Sequence, residues 1–300
     1  MLSKVGTEIE TMRAYTRLTK SGIIFFAIMS ALAGYAMGFE HYEPFDWVHM
    51  ALFVFGLYLT CAGSFALNQA QEWRRDAKMP RTQSRPIPLG VISPWQAYAL
   101  SALFLLVGLF LLFLISPQTS GLAGLTVILY NGVYTLFWKR FWAFGAVPGA
   151  IPGAMPVLIG YSATAPQLIQ PESVYLFLIM FLWQMPHFWA LAIRFREDYK
   201  KGGFPVLPTQ LGIEKTLYHM GLYMFAYVGV ALAAPWFLRT NILYLLLVVP
   251  LTVKVMLEFF KYFRARGQNG WLPFFLWVNV SMLVFLGVPV LDRWFFLLAR

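Results

Sequence analysis

Residues 47–76 read WVHMALFVFGLYLTCAGSFALNQAQEWRRD, and this stretch decides the fold class. From Trp47 to Leu67 it carries no acid, lysine or arginine. A helix of about 20 such residues, rising 1.5 Å each, crosses a hydrocarbon core of about 30 Å. From Asn68 onward the composition turns abruptly polar, so Asn68, Glu72 and Asp76 stand where a membrane span meets the charged side of the bilayer.

Working outward, the same apolar pattern recurs. Hydropathy separates nine segments: 21–39, 47–67, 94–115, 121–138, 141–162, 174–193, 216–238, 242–263 and 272–298. Of 300 residues 59% are hydrophobic and only 12% charged, whereas soluble domains are about 25% charged. This excludes a water-soluble protein and predicts an all-α integral membrane bundle. It divides as a cytoplasmic N-terminal arm, 1–20, and a single nine-helix domain, 21–300. The arm mixes Glu8 and Glu10 with Lys4, Arg13, Arg17 and Lys20. That fits neither a secretory leader nor a transit peptide, so the first apolar segment is expected to stay as a span. Cys61 is the lone cysteine, which leaves no intramolecular disulfide and no paired-thiol metal site.

The 23 basic residues outnumber the 13 acids. With the N-terminus in the cytoplasm, all but Arg239, Arg293 and Arg300 of the basic residues fall on the cytoplasmic side. That asymmetry sets the orientation, and nine spans put the C-terminus on the opposite face. The positive charge is thus directed at topology and the lipid bilayer, and nucleic acid is not an expected partner.

Asn68, Glu72 and Asp76 are spaced i, i+4, i+8, which on a helix makes one stripe of oxygen ligands. Hard oxygens in that arrangement suit Mg²⁺ shared with substrate phosphates. Arg81 and Arg85 follow at once and would fork onto the same phosphates, with Lys78 as a point charge. The plainer alternative is a solvated helix end laced with local pairs such as Glu72 with Arg75.

A second polar cluster begins in the sixth segment, where Gln184 and His187 lie among Trp183, Phe188 and Trp189, and leaves the membrane through Arg194, Asp198 and Tyr199. Gly202, Gly203, Pro205 and Pro208 mark a structured turn. His187 is either hydrogen-bonded to a neighbouring helix or a ligand or partner for a large planar substrate. Tyr134, Lys139 and Arg140 end the fourth segment; they set topology or reach a diphosphate. In the fifth, Pro148, Pro152 and Pro156 alternate with Gly145, Gly149, Gly153 and Gly160. This predicts a kinked or partly unwound span closely approached by its neighbours.

These residues resemble the intramembrane prenyltransferases of the UbiA superfamily. Asp76-Ala-Lys-Met-Pro-Arg-Thr with Arg85-Pro86, Gly153-Ala-Met-Pro156 with Ile159-Gly160, and Trp183-Gln-Met-Pro-His-Phe-Trp-Ala-Leu-Ala-Ile193 through Asp198-Tyr199 and Leu207-Pro208 resemble the branch that farnesylates protohaem IX. The resemblance covers almost the whole chain. It implies a nine-helix UbiA-type bundle with a central cavity, which moves a farnesyl group from farnesyl diphosphate to a vinyl group of haem B, giving haem O. Haem B is then a substrate and Mg²⁺ the cofactor. The bacterial cytoplasmic (inner) membrane is the implied location, and assembly proteins of terminal oxidases are candidate partners.

Carried onto this chain, the resemblance implies that Asn68, Glu72, Asp76 and Asp198 hold the metal. Arg81 and Arg85, with Lys78, Tyr134, Lys139, Arg140, Arg194 and Tyr199, meet the diphosphate, while Gln184 and His187 meet the acceptor. Three departures stand out: Glu72 replaces the usual Asp, the second acidic motif is reduced to Arg194 and Asp198 with Glu197, and Met185 stands where the family often has another Pro. A sister prenyltransferase of an aromatic or quinone precursor would share the diphosphate residues and differ around His187. A haem or lipid carrier would need no acidic stripe.

Overall fold

The computed structural model describes residues 14–39 and 44–298. Within them the chain is helical with no strand. The long helices are α1 (Ser21–Gly38), α2 (Trp47–Asp76), α3 (Pro94–Ile115), α4 (Pro117–Phe141), α5 (Ala146–Ser162), α6 (Pro171–Arg194), α7 (Gly212–Ala233), α8 (Ile242–Arg264) and α9 (Trp271–Leu298). Eight are long and apolar enough to span a membrane, and the ninth, α5, is a 17-residue apolar helix. Among the described residues, the nine expected segments are thus nine helices.

Local chemistry explains several helix starts. The Asp46 carboxylate accepts from the Val48 and His49 amides at the head of α2, at 2.8 and 3.0 Å. Ser93 and Gln96 close a reciprocal capping box at the head of α3, with Pro94 in the first turn. Helix α2 extends well past Leu67 to Asp76, so the polar tail belongs to the same helix as the apolar run. The acid stripe is therefore a true helix face.

Small residues set the close crossings, as expected where apolar packing rather than water drives association. α2 lies along α3, where Gly108 faces Thr60 and the Gly56 carbonyl, and Ser101 Oγ donates to the Gly63 carbonyl at 2.7 Å. α1 lies along α5, where Gly34 meets the Val157 carbonyl and Gly160 meets the Ala31 carbonyl too closely for any Cβ. Of the kink or partial unwinding expected of the fifth span, the unwinding does not occur. Pro152 and Pro156 sit inside a continuous helix, and the glycines serve the close approach.

Two features were not foreseen. Residues 128–138 of α4 form a π-helix, a wide-turned form that is rare at this length. Residues 14–19 of the arm are helical and docked: Leu18 is buried, and Gln69 Nε2 donates to the carbonyls of Arg17 and Leu18 at 2.8 and 2.6 Å. Residues 1–13 of the arm, with Lys4, Glu8, Glu10 and Arg13, lie outside the described residues, as do Glu40, Glu43 and Arg300.

The outer faces of α3, α7, α8 and α9 expose Leu106, Phe110, Leu222, Leu246 and Leu276 among many others. An apolar exterior of this extent belongs in lipid. The core instead joins α5, α6, α7, α8 and α9 around Tyr175, Trp189, Met220, Tyr227 and Phe259.

Candidate active site

A cavity of about 940 Å³ runs into the bundle from the basic end. Asn68, Glu72, Asp76, Arg81, Arg85, Tyr134, Lys139, Gln184, His187 and Tyr199 all line it. Ten of the residues singled out in the sequence therefore share one chamber.

Asn68, Glu72 and Asp76 are each at most 2% exposed, which overturns the solvated-helix-end alternative. Burying carboxylates is costly unless they are paired, and each stripe residue meets a cation from elsewhere in the chain. Lys139 Nζ donates to Glu72 Oε2 at 2.6 Å, and Arg85 Nη1 to Asp76 Oδ2 at 2.5 Å. Lys20 Nζ donates to Asn68 Oδ1 at 3.0 Å. Glu72 thus pairs across helices with Lys139 and not with Arg75 in its own helix.

The π-helical segment of α4 orients the stripe. Asn131 takes a 2.6 Å hydrogen bond from Ser64 Oγ and returns one of 2.9 Å to the Ser64 carbonyl. Four residues further, Thr135 Oγ1 accepts from Asn68 Nδ2 at 3.1 Å and donates to the Tyr130 carbonyl at 2.8 Å. With the Asn68 nitrogen committed to Thr135 and Glu72, its oxygen faces Lys20.

Three cations around one stripe repel one another. Burial, then Arg85 and then Lys139, pull the Lys20 ammonium down to about 7. Lys20 also has the left-handed backbone (φ 55°) uncommon for a side-chain-bearing residue. An anion placed among these cations relieves both their repulsion and their desolvation.

The mouth is roofed by two loops. Arg81 stacks over Phe195 and Tyr199 at 4.9 and 5.3 Å and donates to the Tyr199 hydroxyl at 3.3 Å. Gly202 abuts Met79, and Gly203 turns the chain at φ 68°, as the Gly-Gly-x-Pro pattern predicted. Phe204 lies under the Lys139 ammonium at 4.7 Å.

Deeper in, the chamber becomes aromatic. His187, seven residues before the end of α6, is about 10 Å along the helix from it. Its ring packs against Trp183 and Phe275, with centroids 4.7 and 4.8 Å away, and its Nδ1 is 3.0 Å from Asn279 Oδ1 on α9. The interhelical hydrogen bond expected of a structural histidine is present, yet His187 still faces the cavity. The Trp183 indole N–H is buried without a hydrogen-bond partner.

Four predicted residues do not line the chamber. Lys78 and Arg194 are exposed, and Arg194 lies 5.8 Å over Trp271. Arg140 ties α4 to α2 by donating to the carbonyls of Thr135 and Gln71. Asp198 sits half-buried on the short helix Arg196–Lys201. Gln184 does line the cavity, but its amide nitrogen is committed to the Ala150 and Met180 carbonyls at 3.0 Å each, and its side chain packs on Gly153.

Lys20, Ser64, Asn131, Thr135 and Asn279 were missed. Ser64 continues the stripe one turn back, and Asn131 and Thr135 are an i, i+4 polar pair in an apolar run. Lys20 gave no signal beyond its place before the first span.

Among the described residues no cluster of three or more His, Cys, Asp and Glu occurs. The donor set is therefore not a cage that holds a metal alone. Two carboxylates and an amide fit a Mg²⁺ shared with phosphate oxygens, and Glu72 Oε1, buried without a hydrogen-bond partner, is a ready ligand.

An all-helical membrane bundle with an acid stripe and clustered cations at one end of an apolar chamber defines an intramembrane enzyme acting on an anionic lipid-like substrate. The chain belongs to the UbiA prenyltransferase family, whose model matches residues 27–281, and it is a prenyl-transferring enzyme. It is 54% identical over 286 residues to a protoheme IX farnesyltransferase of Bdellovibrio bacteriovorus, covering 95% of this chain and 98% of that one. It is 36% identical over 251 residues to a protein of the same name from Leptospira biflexa, covering 83% and 87%. Among solved structures, it is similar to a digeranylgeranylglyceryl phosphate synthase (TM-score 0.75, 20% identity, 94% of this chain and 99% of that one). It is also similar to a UbiA homologue from Archaeoglobus fulgidus bound to DMAPP and Mg²⁺ (TM-score 0.68, 16% identity, 92% and 98%). The family resemblance and the multi-pass membrane architecture are thus borne out.

Proposed function

We propose that this chain converts haem B to haem O by transferring farnesyl from farnesyl diphosphate to a haem vinyl group. The observation that carries the proposal is that one chamber joins the buried Asn68–Glu72–Asp76 stripe and its cations to the aromatic wall around His187. Its volume is near the upper end of the about 300–1,000 Å³ usual for ligand sites, as two large substrates require. The 54% identical relative bears the name of this activity.

Asn68, Glu72 and Asp76 would hold Mg²⁺ against the diphosphate, and the ion would supply charge neutralisation of the leaving group. Arg85, Lys139 and Lys20, each already resting on a stripe residue, lie within reach of the same phosphates, and Arg81 with Tyr199 closes over them from the roof. Such preorganised charge is commonly the largest catalytic contribution. The allylic C–O bond breaks heterolytically and the diphosphate leaves with the electron pair. The π electrons of the vinyl group form the new C–C bond. Water then adds to the resulting cation and loses a proton, leaving a hydroxyl. The apolar walls shield the allylic cation from earlier capture by water.

The basic end faces the cytoplasm, in a bacterial inner membrane. Lys78, Arg140, Arg194 and Asp198 stand outside this scheme, because none lines the chamber.

Purified protein incubated with farnesyl diphosphate, haem B and Mg²⁺ should yield a more hydrophobic haem, heavier by a farnesyl group plus a hydroxyl, by chromatography and mass. Prenylation of an aromatic acid with haem left untouched would indicate the sister activity instead. Haem binding with no transfer to any acceptor would indicate a carrier.

A further inference from the structure

We propose that Asn279 is a positioning residue for the acceptor: it fixes His187 as the Nδ1-protonated tautomer and presents the Nε2 lone pair to the cavity as the ligand of the haem iron. The proposal deepens the one above and rests on haem being the acceptor.

The tautomer follows from the amide. Asn279 Nδ2 donates to the Phe275 carbonyl at 2.6 Å, one turn back in α9. This fixes which end of the amide is which, so the atom 3.0 Å from His187 Nδ1 is the oxygen. An amide oxygen only accepts, so Nδ1 carries the proton, and in a neutral imidazole Nε2 then keeps a free lone pair. Histidines that bind metals almost always donate their other N–H to such an oxygen, which sets ring orientation and raises ligand basicity.

The ring is also packed. Trp183 and Phe275 contact it at 4.7 and 4.8 Å, and Trp271 stacks on Phe275 at 4.9 Å. His187 and Asn279 both line the cavity. A neutral ligand held by two aromatic walls and one hydrogen bond would fix the iron, and with it the distance from a peripheral vinyl group to the diphosphate end. It would also favour iron porphyrin over the metal-free macrocycle.

The test is titration of the purified full-length chain with ferric haem, read by absorption and electron paramagnetic resonance, beside steady-state kinetics. Wild type should show an imidazole-ligated iron. Asn279→Leu should lose that signature and raise KM for haem about tenfold, with KM for farnesyl diphosphate unchanged. Asn279→Asp should restore ligation with a shifted spectrum, because a carboxylate draws the Nδ1 proton more strongly. An Asn279→Leu protein with wild-type spectrum and haem KM would overturn the proposal. Should that variant not fold, an Asn279→Asp spectrum identical to wild type would overturn it instead. Wild-type turnover of haem without an imidazole-ligated iron sinks this inference alone, whereas wild type that neither binds nor farnesylates haem sinks the function as well.

Discussion

Lys139 and Glu72 are 67 residues apart in the chain and 2.6 Å apart in the fold, and the bond uses only one of the two carboxylate oxygens. The other, Oε1, is buried without a hydrogen-bond partner. Glu72 thus pairs with a cation from a neighbouring helix through one oxygen, while the other is left without a hydrogen-bond partner. A carboxylate so placed is stable enough to be built into the bundle and is still able to take a metal.

Removing Lys139 strands a buried carboxylate. Lys139→Met should destabilise the protein by about 3 kcal/mol and abolish transfer, whereas the double variant Lys139→Met/Glu72→Gln should recover much of the stability and none of the activity. Thermal unfolding in detergent, combined as a double-mutant cycle, checks this; additive single effects would mean that the pair is not coupled.

Asp76 is expected to be indispensable to chemistry. Asp76→Asn keeps the shape but weakens both the metal site and the pairing with Arg85, so turnover should fall at least about 100-fold, the scale seen when one preorganised electrostatic group is lost. The protein should still purify as a folded species. Near-normal formation of farnesylated haem by Asp76→Asn would remove the residue from the site.

Stripping divalent metal with a chelator should stop transfer by the wild-type enzyme, and Mg²⁺ should restore it. Since no cluster of three or more His, Cys, Asp and Glu is present among the described residues, the metal should bind weakly alone and much more tightly with farnesyl diphosphate. Calorimetry with each combination measures the difference; equal Mg²⁺ affinity with and without the diphosphate would contradict a shared site.

Lys20 should matter for diphosphate binding and little for haem. Lys20→Ala is expected to raise KM for farnesyl diphosphate about tenfold, equivalent to the loss of roughly 1.4 kcal/mol, leaving the haem KM unchanged. Steady-state kinetics with each substrate varied in turn decides it, and an unchanged KM for the diphosphate would make Lys20 a purely structural contact to Asn68.

Packing gives a paired prediction. Gly160→Ala drives a methyl into the Ala31 carbonyl, while Gly229 has open space around it. The first should cost about 1–3 kcal/mol by overpacking, and Gly229→Ala should be neutral or slightly stabilising as a helical glycine replacement. Melting temperatures of the two variants in detergent compare them directly, and equal values would argue against the close α1–α5 crossing.

Several site residues were legible because they follow from one-dimensional periodicities. Asn68, Glu72 and Asp76 form a stripe in any helix, and helix α2 does continue through them. Lys139 and Arg85 were recognisable as cations near a diphosphate, but not as partners of Glu72 and Asp76 respectively. Asp198 shows the limit of a motif position: it suggested a metal ligand, whereas it is the neighbouring Tyr199 on the same short helix that lines the chamber. Lys20 looked topogenic, since nothing along the chain distinguishes a lysine that faces lipid headgroups from one that turns inward.

By itself the sequence determined the solvent and the faces. Transfer of apolar side chains from water to lipid is a sum over residues, so nine apolar segments, their charge asymmetry and the acid stripe could be read without knowing any contact. Tertiary structure alone decided who meets whom. The π-helical turns of α4, the seating of Gly34 and Gly160, and the bond from Asn279 to His187 depend on packing between segments far apart in the chain. A local pattern carries no information about the neighbour across the helix interface.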